Sequence, residues 1–267
     1  MEQDTIYSNH GTNRRQEQSG EPTLHSISDF YKNTWEFLKG KWLMSILTSL
    51  IASAISGTIG AVFAIILYVF IFIGMFGLGV ASAETQEAEM LFTFIGLFII
   101  VFLVCFIFMI LARLFILGPI SYGMSNTFLI SLRDNQEAKI ENIFLAKNNY
   151  MNTVKVTGWA ILYIFLWSLL FYIPGIIKAY SYSMIYYIRR DNPELTANEC
   201  LELSSQMMDG HKLDLFILHI TFIGLSLLGI FTGGLSNLFM TPFTATIMAQ
   251  FYEDVKAKYE YFKGNMD

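Results

Sequence analysis

Two basic side chains stand where a charge is expensive. Arg113 lies within the apolar run of residues 90–132, and Lys178 lies within that of residues 176–188. An ionised side chain at mid-bilayer costs about 2.5–3.5 kcal/mol on insertion scales, so it is read first as a pathway or headgroup contact. The bland reading is equally open. Arg113 can snorkel or sit at a turn, and Lys178 can snorkel near the outer surface. Tyr180, Tyr182, Tyr186 and Tyr187 crowd the same segment as Lys178, with Ser181 and Ser183 among them. Tyrosine suits an interface, where the ring is buried and the hydroxyl stays wet. Tyr186 and Tyr187, beside Arg189, fit that role. Tyr180 and Tyr182 lie deeper and, with Asn126 and His219, are candidates to line a polar cavity. His219 is read first as a packed, hydrogen-bonded residue and second as a proton relay.

The remaining reactive residues form no recognisable constellation. His10, His25, His211 and His219 are scattered, and Cys105 and Cys200 are far apart without a CxxC. Neither a disulfide nor a thiolate metal site is expected. HExxH, P-loop and GxSxG motifs are missing from the sequence. The expectation is a protein that is not an enzyme, with no cofactor, no metal and no catalytic residue.

Composition explains why apolar runs dominate. Of 267 residues, 54% are hydrophobic and 15% charged, and 24 are Phe; the mean hydropathy is +0.48. Soluble domains carry about 25% charged residues. A water-soluble enzyme, a collagen, a coiled coil and a disordered chain are all excluded as readings. The net charge of −5 argues against nucleic acid as a partner. The expected class is all-α, a polytopic membrane helical bundle whose first partner is the lipid bilayer.

Residues 1–25 are polar and read as a disordered cytoplasmic tail. They contain no apolar core of a signal peptide, so the first span is expected to direct insertion. Residues 26–41 read as an amphipathic interfacial helix. Ile27, Phe30, Tyr31, Thr34, Trp35 and Leu38 share one face, Ser26 and Asp29 form a capping box, and lysines flank the end. The membrane domain spans 42–252, with apolar runs at 42–83, 90–132, 154–173, 176–188, 213–231 and 238–252. Residues 84–89 form an acidic loop and 232–237 a turn. Pro174 and Gly175 are expected to turn or kink the chain at the end of the run that starts near Val154. Residues 253–267 read as a polar cytoplasmic tail.

These runs make six core transmembrane helices in three hairpins. The first run is too long for one perpendicular crossing. Residues 56–60 (Ser-Gly-Thr-Ile-Gly) can therefore be a turn, and residues 60–111 an extra hairpin, giving eight spans. Otherwise the first two helices are long, tilted or kinked, with a break near Gly118-Pro119. Ser49, Ser53 and Gly57 form a small-residue stripe suited to helix packing within the chain. With both termini cytoplasmic, 15 of the 17 basic residues fall inside, as the positive-inside rule requires.

Residues 196–209 read as an amphipathic surface helix between two hairpins. Thr196 and Glu199 form a capping box, Gly210 suits the C-terminal end, and Ala197, Cys200, Leu201, Met207 and Met208 give an apolar side. A structural brace is the favoured reading. Docking of an unknown membrane or cytoplasmic protein partner is the rival.

The segment Ile173-Pro174-Gly175-Ile176-Ile177-Lys178-Ala179-Tyr180-Ser181-Tyr182-Ser183-Met184 resembles the signature of a bacterial integral-membrane family catalogued as domain of unknown function number 975. Asp191-Asn192-Pro193-Glu194-Leu195-Thr196-Ala197, Met208-Asp209-Gly210-His211-Lys212, Gly118-Pro119, Phe222-Ile223-Gly224 and the ending from Pro242 to Phe251-Tyr252-Glu253 follow in the order of that family. The resemblance covers residues 35–255. The chain departs from it in a longer stretch between Gly60 and Leu111, and at Leu225, where the family usually has Trp. The resemblance implies a helical bundle in a bacterial cell membrane and supplies no activity.

Two functional classes remain. One is a non-enzymatic scaffold, accessory subunit or envelope-homeostasis factor. The other is a transporter or lipid-handling protein, which needs Arg113, Lys178, Tyr180, Tyr182, Asn126 and His219 to converge on a cavity.

Overall fold

The structure is a computed structural model and describes residues 22–81, 87–231 and 235–265. The described residues are mostly helical, joined by turns and short irregular segments, with no strand among them. The helices are α1 (Ile27–Leu38), α2 (Trp42–Ala81), α3 (Glu87–Ala112), α4 (Gly118–Arg133), α5 (Tyr150–Leu170), α6 (Tyr172–Ser181), α7 (Ile185–Asp191), α8 (Ala197–Met207), α9 (Lys212–Phe231) and α10 (Leu235–Gly264). A 3-10 segment, Ile140–Asn149, precedes α5. The expected tail at 1–25 falls almost wholly outside the described residues, as do 84–86 of the expected acidic loop and 232–234 of the expected turn. Residues 87–89 and 235–237 are helix, opening α3 and α10, which corrects those parts of the two expectations.

The chain divides into two units, residues 51–118 and the remainder. In the first, α2 and α3 meet where the Phe70 and Phe98 rings lie 5.9 Å apart, and Phe98, Phe102 and Phe106 stack at successive turns. Large apolar side chains on these helices are exposed without a polar face, among them Ile65, Phe72, Ile100 and Val104. A helix that is hydrophobic all round needs an apolar surrounding. Residues 56–60 are continuous helix within α2, which corrects the eight-span alternative. Ser56 and Thr58 hydroxyls donate to the Ala52 and Ala54 carbonyls of their own helix, so these polar residues need no turn to satisfy them. At 1.5 Å per residue α2 is about 60 Å long.

The expected break near Gly118-Pro119 takes the form of a π turn over Arg113–Leu117. Pro119 has no amide for the carbonyl four residues back, and widening the helix just before it accommodates the ring.

In the larger unit, α1 packs onto α9 and α10. Phe30, Thr34 and Leu38 are buried, Phe30 faces Phe251, and the Tyr31 hydroxyl meets that of Thr221 at 2.8 Å. The apolar face expected to lie in the lipid interface is therefore largely covered by protein. Ile27 and Trp35 are the exceptions; Trp35 is 55% exposed and meets Trp42 edge-on.

The break after α5 falls at Phe171, whose backbone is extended, and Pro174 sits in the first turn of α6. There a proline costs nothing, because the first-turn amides have no helical acceptor. Gly175 has the tighter constraint: a Cβ at this position would overlap Ser168 on α5. Gly123 on α4 likewise lets the Ile143 carbonyl of the 3-10 segment approach. The polar stretch after Tyr252 continues α10, with Val255 fully buried.

Three described helices are long and apolar enough to cross a membrane: Trp42–Phe72, Ile95–Arg133 and Tyr150–Leu170. A fourth is counted if α8 and α9, bent by 86° at their junction, are taken as one broken span.

Candidate functional site

The end of α4 and the C-terminal half of α10 converge on Asp191, the last residue of α7. Arg133 closes α4 and grips the carboxylate with both terminal nitrogens, Nη1 to Oδ1 and Nη2 to Oδ2 at 2.7 Å each. From α10, Lys256 Nζ donates to Oδ2 at 2.7 Å and the Tyr252 hydroxyl at 2.9 Å. Arg133 Nε also donates to Glu253 at 2.6 Å, and the Tyr187 and Tyr252 rings stack at 4.9 Å. Burial works to raise the Asp191 pKa, but the hydrogen bonds from Arg133, Lys256 and Tyr252 prevail and hold the carboxyl well below the usual carboxylate range. Three of these four donors fall on Oδ2 and one on Oδ1, so the carboxylate is held as a clamp between two cations and a phenol.

Beside the clamp, α8 is locked by side chains on its buried face. The Glu199 amide donates to the Thr196 hydroxyl and the Thr196 amide to the Glu199 carboxylate at 2.7 Å, completing the capping box. These bonds to Thr196 hold the Glu199 carboxyl below its ordinary value. Gly210, three residues past the helix, has φ +79°, a left-handed conformation that favours glycine. Cys200, Leu201, Met207 and Met208 are buried. The Ser204 hydroxyl donates to the Ser181 carbonyl at 2.8 Å and accepts from the Met184 amide at 3.3 Å, filling the break between α6 and α7.

The larger unit also holds a half-open cavity of about 420 Å³ between α4, the α6–α7 turn, α9 and α10. Its polar lining comes from Ser125, Ser183, Tyr187, His219, Ser226, Thr241 and Thr244. His219 Nδ1 donates to the Leu215 carbonyl at 2.9 Å, because a carbonyl can only accept. The His219 ring stands edge-on to Tyr180 and Phe222.

Of the six residues proposed from sequence to line a cavity, His219 is the one that lines this cavity. Arg113 is exposed at the start of the π turn, in the other unit. Lys178 lies over the Trp167 and Tyr182 rings at 5.4 and 5.8 Å from their centroids. Tyr180 packs between Phe216 and His219, and Tyr182 against Tyr163. Asn126 is fully buried and donates to the Tyr122 and Tyr186 carbonyls. Sequence reasoning missed Asp191, whose Asp-Asn-Pro context signals only a helix end, and the hydroxyl ring around His219. Nor did it single out Arg189, which is 2% exposed and donates to the Leu195 carbonyl at 2.5 Å. Among the described residues, no three His, Cys, Asp or Glu side chains are gathered as metal ligands would be.

Residues 124–259 match the model of a family described as "Protein of unknown function (DUF975)". The matched segment contains the clamp, the Ser204 contact and the cavity. Residues 51–118, with α3 and most of α2, lie outside it. No curated protein and no solved structure matches the chain.

Proposed function

The chain belongs to the DUF975 family of proteins of unknown function, and from that premise we propose that it is a multi-pass integral protein of a bacterial cell membrane with a non-enzymatic role. It serves as a scaffold, accessory subunit or envelope-homeostasis factor. Six spans in three hairpins cross the bilayer, drawn from α2, α3 with α4, α5, α6 with α7, α9 and α10, with Arg133, Asp191 and Lys256 beyond their cytoplasmic ends. Both termini face the cytoplasm, where 15 of the 17 basic residues then lie.

The observation that carries this reading is the Asp191 clamp. Its charges bind each other and tie α4, α7 and α10 into one rigid end, which suits a part that holds neighbours in place. In native membranes the chain is expected to stay in the pellet after alkaline carbonate and to copurify with a membrane protein in fixed ratio. Release by carbonate removes the membrane placement, and a chain that always purifies alone removes the scaffold role.

Topology is tested by cysteine labelling in a variant lacking Cys105 and Cys200. Cysteines placed at Gln86 are expected to label from outside, and those at Asn13 and Asn148 only after permeabilisation. The reverse pattern inverts the orientation.

The cavity beside His219 supports a second reading, a lipid-handling or transport protein. That reading predicts bound lipid or solute in the purified chain, independent of any protein partner.

A further inference from the structure

The cavity wall is rich in acceptors and poor in donors. A hydroxyl has one proton and two acceptor lone pairs. Ser183 spends its proton on the Tyr180 carbonyl, Ser226 on Phe222 and Thr241 on Asn237, each at 2.8 Å. Thr244 spends its own on the Thr241 carbonyl at 3.1 Å. His219 spends Nδ1–H on Leu215, so the neutral ring has an acceptor left at Nε2. The Tyr187 and Ser125 hydroxyls bond each other and together keep one proton. Four hydroxyl oxygens and one imidazole nitrogen thus offer lone pairs with little to donate in return.

This pattern selects its ligand. A polyol or a phosphate brings acceptors of its own, which this wall cannot satisfy, and an unpaired polar group costs its desolvation. A primary ammonium has three donors and no acceptor. The aromatic walls, Tyr187 and Phe222, favour a cation over a neutral donor. Met124 and Met248 supply an apolar border for an attached chain. The volume lies within the usual range of small-ligand sites, about 300–1,000 Å³.

We propose that the cavity lined by Ser183, His219, Ser226, Thr241 and Thr244 binds a primary ammonium group, carried by a lipid headgroup or by a small free amine. The proposal rests on the second reading of function and supplies its ligand chemistry; it leaves the scaffold role untouched.

The full chain, purified in detergent, is titrated with hexylamine hydrochloride, N,N,N-trimethylhexylammonium and hexanol. Binding is read by calorimetry. Hexylamine is expected to bind at least about tenfold tighter than the other two, since a hydrogen bond to a charged group is worth about 1.5–3 kcal/mol. Ser226→Ala and Thr244→Val are each expected to weaken hexylamine by about tenfold while leaving the melting temperature within the range of wild type. Equal binding of all three probes overturns the ammonium chemistry but keeps a general apolar cavity. Binding of none overturns the cavity reading as well. Hexylamine affinity unchanged in both variants places the amine elsewhere and overturns the site.

The source is read in nanodiscs by native mass spectrometry. Retention of phosphatidylethanolamine over phosphatidylcholine, lost in Thr244→Val, identifies a headgroup. Equal retention of the two lipids alongside selective hexylamine binding identifies a free amine.

Discussion

Ser204 on α8 donates its hydroxyl to the Ser181 carbonyl at the end of α6, 2.8 Å away. The same oxygen accepts the Met184 amide, so one side chain replaces the backbone bonds lost where α6 stops and α7 has not begun. Both serines are buried, and water cannot substitute. Through this contact the buried face of α8, including Cys200 and Met208, rests on the bundle, as the brace reading expects.

Ser204→Ala is expected to cost about 1–3 kcal/mol, the penalty of stranding buried backbone groups. The melting temperature of the detergent-solubilised protein should fall, with the helical circular dichroism intact. An unchanged melt would mean that the break is satisfied in another way.

Asp191 couples the bundle to pH. Its carboxyl sits below the ordinary aspartate value of about 3.9, so its stabilising contribution is complete above that value. It is lost as pH falls from there through the lowered folded value. Melting temperature is thus expected to lose this contribution below about pH 4. Asp191→Asn, which leaves Arg133 and Lys256 without a counter-charge, should be less stable at neutral pH by about 2 kcal/mol, discounted for the partial exposure of Arg133. Its acid dependence should be flatter than that of wild type. Parallel pH curves for the two proteins would show that Asp191 is not the linked group.

Gly123→Ala forces a methyl into the Ile143 carbonyl, a backbone atom that cannot rotate away. Loss of folded yield is the expected result, at a cost above about 3 kcal/mol. Gly175→Ala meets a serine side chain first and is expected to cost about 1–3 kcal/mol, with partial rescue by Ser168→Ala. Additive effects in that double variant would show that the two helices do not meet as described.

Thr196→Ala removes the hydroxyl that caps α8 and should cost about 1 kcal/mol. Reduced heat tolerance with unchanged cysteine-labelling topology is the expected pattern. A change in topology would give α8 a role in insertion that a brace does not have.

The all-helical class, the long apolar helices, both capping boxes and the left-handed Gly210 were legible in the linear chain. They depend on interactions within one helical turn or on the length of an apolar run, and such signals are complete in a short window of residues. The break before α6 was nearly legible. Pro174 and Gly175 mark it, but the chain turns at Phe171 because proline fits the first turn of a helix and Gly175 is needed for contact with Ser168. Residues 56–60 read as a turn by residue type and are helix, since their hydroxyls can bond to their own backbone.

Only the tertiary structure decided which polar side chains meet. Arg133 and Lys256 are 58 and 65 positions from Asp191, and no local pattern couples them. Arg113 and Lys178 drew attention because charge in an apolar run is conspicuous; packing placed one in the smaller unit and the other over aromatic rings. Ser183, Ser226, Thr241 and Thr244 are inconspicuous residues from three elements, the α6–α7 turn, α9 and α10. Their common cavity exists where the α6–α7 turn, α9 and α10 pack beside α4, and the contacts that bring those elements together are made across the fold.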